Sequence, residues 1–199
     1  MGKLLPLVIV LLFGSTLLWF GTDGFRAFTS EGARRVDIVS NPRQVPDIQL
    51  EDQNGQTFSM ADLAGKTVLM TFFYARCTDV CPELQDHLHK VAEMLPPGRL
   101  GKDIVLLSVS FDPNYDDEQV LHEYALRFEA QAPTWRIARV ADKEQLKQLL
   151  NRFGVVVIPV ENGEFEHNDA IYIVNKEQKL THIFDYTADR SIAEAALAS

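Results

Sequence analysis

Cysteine is scarce in this chain: only two of its 199 residues are cysteine. That number excludes a small fold held together by several disulfides. Positive charge is also in short supply, since 19 Lys and Arg stand against 28 Asp and Glu, which gives a net charge of −9. A chain this acidic is poorly suited to nucleic acid or an anionic membrane surface as its main partner. The sequence also has no glycine-rich phosphate loop, no internal repeat and no low-complexity segment.

The two cysteines, Cys77 and Cys81, lie between a strongly apolar run and an amphipathic segment. The run Thr67–Phe73 predicts a buried strand, and the segment from Pro82 onward predicts a helix. Residues four apart share a helix face, and the positive end of the helix dipole favours a thiolate. An inert buried pair is the plainer alternative. Their position at a helix start favours either a redox couple or two ligands for a soft metal ion such as Cu(I).

The longest uncharged stretch of the sequence runs from Leu4 to Phe20. As a helix it is about 25 Å long, the low end of what crosses a bilayer. A cleaved signal peptide is the alternative, but its apolar core is shorter, about 7–15 residues, and no small-x-small cleavage site follows Phe20. We therefore expect an uncleaved membrane anchor over residues 1–20, followed by a linker over residues 21–45 with a short strand near Val36–Val39.

Residues 46–199 predict one α/β domain. It is expected to begin with a β-hairpin whose turn is Asn54-Gly55. Strands then alternate with helices, which is typical of parallel pairing. Two late strands, near Ala170–Asn175 and Leu180–Tyr186, precede a short C-terminal helix. This order predicts a three-layer domain with helices on both faces of one sheet.

The five histidines differ in how well their surroundings suit a binding site. His167 lies in the polar loop Glu161–Asp169, ahead of a strand, where binding sites are commonly built. The residues alone leave its role open. The others are interpreted as ordinary surface or packing residues of helices and strands: His87, His89, His122 and His182. The first two of these are two apart on a helix, about 200° around it, and cannot share a metal ion.

The chain resembles the Sco/SenC family, whose fold is thioredoxin-like, at Phe73–Pro82, F-Y-A-R-C-T-D-V-C-P. Three further segments are similar to that family: Pro46–Lys66, Leu107–Pro113 and Glu166–Tyr172. The sequence departs from the family pattern at Glu166, where Asp is usual, and at Asn114-Tyr115, where an Arg commonly follows the Asp-Pro pair. The likeness covers about residues 46–198 and agrees with the predicted α/β order.

This resemblance implies a thioredoxin-like domain behind a single transmembrane helix. It implies that copper, as Cu(I) or Cu(II), is bound by Cys77, Cys81 and His167. It also implies delivery to subunit II of cytochrome c oxidase, or another copper-receiving protein, by a domain facing the periplasm or an equivalent extracytoplasmic space. Some members instead resemble thiol–disulfide oxidoreductases or redox sensors, with the two cysteines as the redox pair. A peroxidase is a weaker alternative, because no Thr/Ser-x-x-Cys motif precedes Cys77.

The acidic residues near the cysteines have less specific roles. Asp79, between the cysteines, is expected either to bond a ligand or to hold the loop. Asp112-Pro113 is interpreted as a turn. Asp116-Asp117 is interpreted as a helix start rather than as a pair of acid–base groups.

Overall fold

The computed structural model describes residues 4–22, 29–160 and 163–199. The chain divides into two compact units, residues 1–41 and residues 42–199. The first unit contains helices α1 (Leu4–Gly21) and α2 (Ser30–Ser40). Over the described ranges, no helix combines the length and the apolar character needed to pass through a bilayer. The membrane anchor stays a prediction from the sequence.

Helix α2 lies where the sequence analysis predicted a short strand, near Val36–Val39, and that prediction is wrong. The Thr29 side chain caps the helix by accepting a backbone N–H of its first turn at 2.9 Å. Glu31 pairs with Arg34 at 2.8 Å and with Arg35 at 3.0 Å, on one helix face. The cap and these ion pairs outweigh the weak preference of branched residues for a strand.

The second unit is built on an eight-stranded sheet in the order β1-β10-β9-β4-β5-β6-β2-β3. Its strands are β1 (Arg43–Gln44), β2 (Gln49–Asp52), β3 (Thr57–Ser59), β4 (Thr67–Phe73), β5 (Ile104–Ser110), β6 (Trp135–Arg139), β9 (Ile171–Val174) and β10 (Lys179–Phe184). The central pairs β4–β5 and β5–β6 are parallel, and the outer pairs are antiparallel. All seven residues of β4 and all seven of β5 are buried, as expected for strands covered on both faces.

Four helices connect and cover this sheet: α3 (Val80–Met94), α4 (Glu118–Arg127), α5 (Lys143–Phe153) and α6 (Asp189–Ala198). The β4–α3–β5 and β5–α4–β6 connections step the same way along the sheet, so right-handed crossovers place α3 and α4 on one face. Two contacts agree with that placement. Ser108 of β5 donates a hydrogen bond to Gln85 of α3 at 2.7 Å, and Tyr124 of α4 stacks on Phe73 of β4 with ring centroids 4.4 Å apart.

Helix α5 covers the opposite face of the sheet. Its Phe153 packs edge-on against Phe72 at 5.4 Å and against Tyr172 at 5.2 Å. Phe72 and Phe73 are consecutive residues of β4, so their side chains point to opposite faces. The unit therefore has a helix layer, a sheet and a second helix layer, as the sequence predicted.

The β2–β3 hairpin confirms the predicted turn at Asn54-Gly55. Gly55 has φ +68°, a left-handed conformation that glycine adopts without strain. Asp52 is fully buried and its carboxylate accepts the N–H groups of Asn54 and Gln56 at 2.9 and 3.1 Å. Hydrogen bonds to a buried carboxylate thus fix the turn.

A second, two-stranded sheet was not predicted. It pairs β7 (Val157–Pro159) with β8 (Phe165–His167), antiparallel, with Val157 opposite His167. The hairpin leaves three branched apolar side chains exposed: Val156, Ile158 and Val160. Its importance is that β8 ends at the histidine that the sequence singled out.

Candidate functional site

The loop between β4 and α3, residues 74–79, carries the first cysteine of the pair. Cys77 lies in this loop, and Cys81 lies in the first turn of α3, which begins at Val80 rather than at Pro82. Both side chains are buried and both are free thiols. The backbone N–H of Cys81 donates to the sulfur of Cys77 at 3.3 Å. The start of the helix therefore stabilises negative charge on Cys77.

The two thiols differ in acidity. The Cys81 thiol donates a hydrogen bond to Cys77, and this, helped by the N–H groups of Cys81 and Asp79, lowers the pKa of Cys77 to about 5 although burial opposes it. The same hydrogen bond, together with burial, raises the pKa of Cys81 far above its ordinary value. At neutral pH Cys77 is therefore the thiolate, and Cys81 keeps its proton.

His167 approaches this pair from the end of β8. Its Nε2 lies 3.6 Å from the sulfur of Cys81, and its side chain is only 4 % exposed. Thiolate and imidazole ligands of zinc bind at about 2.3 and 2.0 Å, so two such donors on one three- or four-coordinate ion lie roughly 3.5–3.7 Å apart. The distance between Cys81 and His167 matches the spacing of two ligands of one ion.

The described part of the chain contains no group of three or more His, Cys, Asp or Glu side chains with the geometry of a metal site. The ligand set Cys77, Cys81 and His167 therefore stays a prediction. The hydrogen bond between the two sulfurs gives a physical reason why the three predicted ligands do not have the geometry of a metal site. A metal ion held between the sulfurs would replace the bridging proton.

Asp169 faces the other ring nitrogen of His167. Its Oδ1 lies 3.0 Å from Nδ1, but the two atoms are not aligned as a hydrogen bond, and neither bonds to another described group. Burial raises the pKa of Asp169. A carboxylate beside the second nitrogen of a ligand imidazole sets which nitrogen carries the proton. Asp169 therefore lies beside the ring nitrogen that does not face the cysteines; its position two residues after the histidine was the overlooked signal.

Two aromatic rings pack against the imidazole, and a third ring packs against those two. Phe111 and Tyr74 meet His167 edge-on at centroid distances of 4.8 and 6.2 Å. Phe165 packs against both of them, at 5.6 and 5.1 Å. This frame holds the ring orientation and limits the approach of water. The sequence analysis assigned these rings no role, since aromatic residues at strand ends are as common in plain cores.

A cavity of about 500 Å³ opens over Cys77 and His167. Four carboxylates line it: Asp79, Glu164, Glu166 and Asp169. Such a lining attracts cations and repels anions. Asp79 makes no capping hydrogen bond with α3, so its side chain does not hold the helix start. Residues 161 and 162, at the start of the loop predicted to carry His167, lie outside the described residues.

The β5–α4 loop, which begins after Ser110, contacts the cysteine loop through Asp112. The Asp112 carboxylate accepts a hydrogen bond from Arg76 at 2.6 Å. The Arg76 guanidinium also lies over the ring of Tyr115, 4.2 Å from its centroid. Asp112 thus makes a contact between two loops, beyond the local turn that the sequence predicted.

Asp116 makes a second contact between the same loops. It is fully buried, and its Oδ2 accepts the Ala75 N–H at 3.1 Å and the hydroxyl of Ser110. Asp117 alone caps α4, by accepting the N–H of Val120 at 3.0 Å. The predicted helix start is therefore confirmed for Asp117, while the contact made by Asp116 was missed.

The other four histidines lie away from the cysteines and have their own partners. They are His87 with Asp189 (2.7 Å), His89 with Glu93 (3.7 Å), His122 with the carbonyl of Gln53 (3.2 Å) and His182 with Thr181 (3.0 Å). The pairing of His87 with α6 was not foreseen. A larger open cleft, about 830 Å³, includes His122 but neither cysteine nor His167, so it is not the site of this chemistry.

Comparison with known proteins identifies the family. Residues 38–199 match the SCO1/SenC family model. The chain belongs to the SCO1/SenC family. An SCO2-like protein of Rickettsia typhi is 26% identical to this SCO1/SenC chain over 170 residues, which cover 81% of each protein. The resemblance drawn from the cysteine motif is thereby confirmed.

Solved structures confirm the thioredoxin-like α/β fold of this SCO1/SenC member. ScoI of Bradyrhizobium japonicum, solved with copper bound, is similar with a TM-score of 0.64 and 22% identity, over 78% of this chain and 98% of that one. BsSco, described as a member of the Sco family of cytochrome c oxidase assembly proteins with a disulfide switch, is similar with a TM-score of 0.68 and 19% identity, over 79% and 94%.

Proposed function

We propose that this protein is a copper chaperone that binds copper as cargo through Cys77, Cys81 and His167 and passes it to a second protein. The observation that carries the proposal is the 3.6 Å separation of the Cys81 sulfur and the His167 Nε2, beside the free thiol of Cys77. Two sulfurs suit Cu(I) and an imidazole suits Cu(II), so one site serves both oxidation states. The copper-bound ScoI structure of the same fold supports this assignment.

Delivery requires that the cargo leaves by ligand exchange. Three protein ligands leave a position open for an incoming ligand, so the ion passes to the receiving protein without being released to water. The acidic cavity lining favours the cation during that exchange. The receiving protein we propose is subunit II of cytochrome c oxidase. The description of BsSco as belonging to a family of cytochrome c oxidase assembly proteins supports this choice.

Metal analysis of the purified full-length chain tests copper binding. The reduced protein is expected to take up about one copper ion per chain, and the disulfide form little, because metal ligation needs free thiolates. The double variant Cys77→Ser, Cys81→Ser serves as the comparison. Equal copper uptake by that variant and the reduced parent would refute the chaperone assignment.

A thiol–disulfide oxidoreductase is the second candidate function, favoured by the lowered pKa of Cys77 and the raised pKa of Cys81. The Cys77 thiolate attacks a target disulfide and forms a mixed disulfide, releasing one target thiolate. Cys81 then loses its proton and attacks Cys77, which forms the intramolecular disulfide and releases the second target thiolate. Two electrons thus reduce the target. His167→Ala separates the functions, because this exchange uses only the sulfurs.

Attachment to a membrane, with the second unit outside the cytoplasm, completes the proposal. Its support is the uncharged stretch Leu4–Phe20 and the absence of a small-x-small cleavage site after it. The N-terminal mass of the mature protein and its distribution between membrane and soluble fractions provide the test. A mature chain that starts after residue 20 and stays in the soluble fraction contradicts it.

A further inference from the structure

Two consecutive residues just before Cys77 are held by side chains of the β5–α4 loop. The Ala75 N–H donates to Asp116 at 3.1 Å. The Arg76 guanidinium donates to Asp112 at 2.6 Å and lies over the Tyr115 ring. Ser110 links the two residues, because its hydroxyl donates to the Asp116 carboxylate while its oxygen accepts the backbone N–H of Asp112 at 3.0 Å.

The burial of Asp116 is not explained by the stability of the fold alone. Its side chain is fully buried, and its Oδ1 has no hydrogen-bond partner among the described residues. Burying a carboxyl group with an oxygen unpaired is unfavourable. The adjacent helix does not use this carboxylate, since α4 is capped by Asp117. The remaining contact that Asp116 makes to another loop is the one to Ala75.

We infer that Asp116, assisted by Asp112, is a positioning residue that fixes the cysteine loop and thereby sets where the sulfur of Cys77 lies relative to Cys81 and His167. This inference deepens the proposed function and rests on it. Cys77 comes directly after Ala75 and Arg76 in the chain, so a shift of either residue moves its sulfur. Functional groups must be held within about 0.5 Å of their working positions, which calls for supporting contacts of this kind.

Arg76, which bonds Asp112, also lies close to the hairpin that carries His167. A methyl group at Gly163, at the turn between β7 and β8, would come within 2.9 Å of Arg76 Nη1. The guanidinium therefore lies between Asp112 and the hairpin turn. One side chain is thus hydrogen-bonded to the β5–α4 loop and lies next to the hairpin that presents His167.

Three variants of the full-length chain test the inference. Asp116→Ala removes the acceptor for Ala75. Asp116→Asn keeps one oxygen that can accept the same N–H and the Ser110 hydroxyl. Asp52→Ala is the matched control, since Asp52 is also fully buried and accepts two backbone N–H groups, but lies three strands away from β4 in the sheet.

Two readouts report on the geometry of the sulfurs. One is the rate at which oxidised glutathione converts the dithiol to the Cys77–Cys81 disulfide, with two electrons and two protons passing to two glutathione molecules. The other is the rate of Cu(II) loss to a chelator, with the Cu(II) absorption spectrum. Urea unfolding gives the stability of each variant for comparison.

Asp116→Ala is expected to slow disulfide formation and speed Cu(II) loss by about tenfold or more, the usual scale for a residue that orients a ligand. Asp116→Asn should have rates of disulfide formation and of Cu(II) loss close to those of the parent. Asp52→Ala should lose stability without changing either rate.

If Asp116→Ala does not fold, Asp112→Ala provides a second test. Asp112 is half-buried, and its replacement is expected to change both rates in the same direction. Unchanged rates in folded Asp116→Ala, or in Asp112→Ala where Asp116→Ala does not fold, overturn the inference. Disulfide formation is measured without copper, so this result stands apart from a failure of copper binding itself.

Discussion

The Nε2 of His167 lies 3.6 Å from the sulfur of Cys81, although 86 residues separate the two in the chain. The sulfur is held by the first turn of α3 and the imidazole by the end of β8. Each reaches the meeting point from a different part of the fold, so the distance reports how the hairpin packs over the helix start.

Replacing His167 should affect the two oxidation states of copper unequally. His167→Ala is expected to weaken Cu(II) binding by about 10-fold or more while Cu(I) binding changes less, because Cu(II) prefers a nitrogen ligand and Cu(I) is satisfied by two sulfurs. Electron paramagnetic resonance and absorption of the copper-loaded variant measure this. His122→Ala, an exposed histidine in another cleft, is the matched control. An unchanged Cu(II) spectrum in His167→Ala shows that the ligand assignment is wrong.

The reactivity of Cys77 should follow its lowered pKa. Alkylation by iodoacetamide is expected to show a midpoint near pH 5. Cys81→Ala should raise that midpoint, since it removes the thiol that donates to Cys77, whereas Cys81→Ser keeps a donor and should raise it less. A midpoint near the ordinary value of 9.0 in the parent protein would contradict the prediction.

The same pKa shift fixes the sign of one contribution to stability. The folded pKa of Cys77 lies below its ordinary value, so the unfolded chain binds more protons between about pH 5 and pH 9. The contribution of Cys77 to the unfolding free energy of the reduced protein is therefore fully present above about pH 9 and lost as the pH falls through 5. Urea unfolding of the parent and of Cys77→Ser across this range measures it, as the difference between the two.

Asp116 should contribute to the pH dependence of the unfolding free energy with the opposite sign. Burial raises its pKa from 3.8 to about 6, so the folded protein binds more protons than the unfolded chain in that range. Its contribution is fully present below about pH 4 and lost as the pH rises through 6, by at most about 3 kcal/mol. Relative to Asp116→Asn, the parent should lose unfolding free energy between pH 4 and pH 7 in urea titrations. A constant difference between the two proteins would show that Asp116 does not titrate in this way.

Gly163 should be sensitive to substitution by alanine for two separable reasons. Its φ of +76° strains any residue with a Cβ, and a methyl group there meets Arg76 at 2.9 Å. Gly98 is the matched control, since it has φ +81° but open space around it. Gly98→Ala should lose about 1 kcal/mol from backbone strain alone. Gly163→Ala should also change the Cu(II) spectrum, because the added methyl group displaces the Arg76 guanidinium that bonds Asp112 beside the cysteine loop. Equal behaviour of the two glycine variants would exclude a role for the Arg76 contact.

The sequence predicted those parts of the fold in which local pattern and tertiary environment agree. The continuous apolar run of β4 and the Asn54-Gly55 turn are examples, because burial on both faces and a left-handed turn each leave a local mark. The strand near Val36–Val39 failed because the cap at Thr29 outweighs a weak strand preference. Strand β7 was missed because Pro159 interrupts a short apolar run, a pattern that argues against a strand.

The site divides in a similar way. The sequence singled out Cys77 and Cys81 because their spacing carries the chemistry, whereas the residues alone left the role of His167 open. Asp116 and Asp169 were missed because their roles depend on burial and on groups that are distant in the sequence. Nothing in the sequence near Asp116 indicates that its carboxylate accepts the N–H of Ala75, 41 residues earlier.

The hairpin of β7 and β8 forms its own sheet, paired with none of the eight described strands of the main sheet. A two-stranded ribbon opens at lower free energy than a sheet core. In the proposed ligand set, His167 therefore lies on the part of the site that unfolds locally at the lowest free energy. The sulfur of Cys81 lies on a helix packed against the core. Opening of the ribbon would lower the number of protein ligands on the cargo from three to two while the main sheet stays folded. Release can then proceed in ordered stages, nitrogen before sulfur.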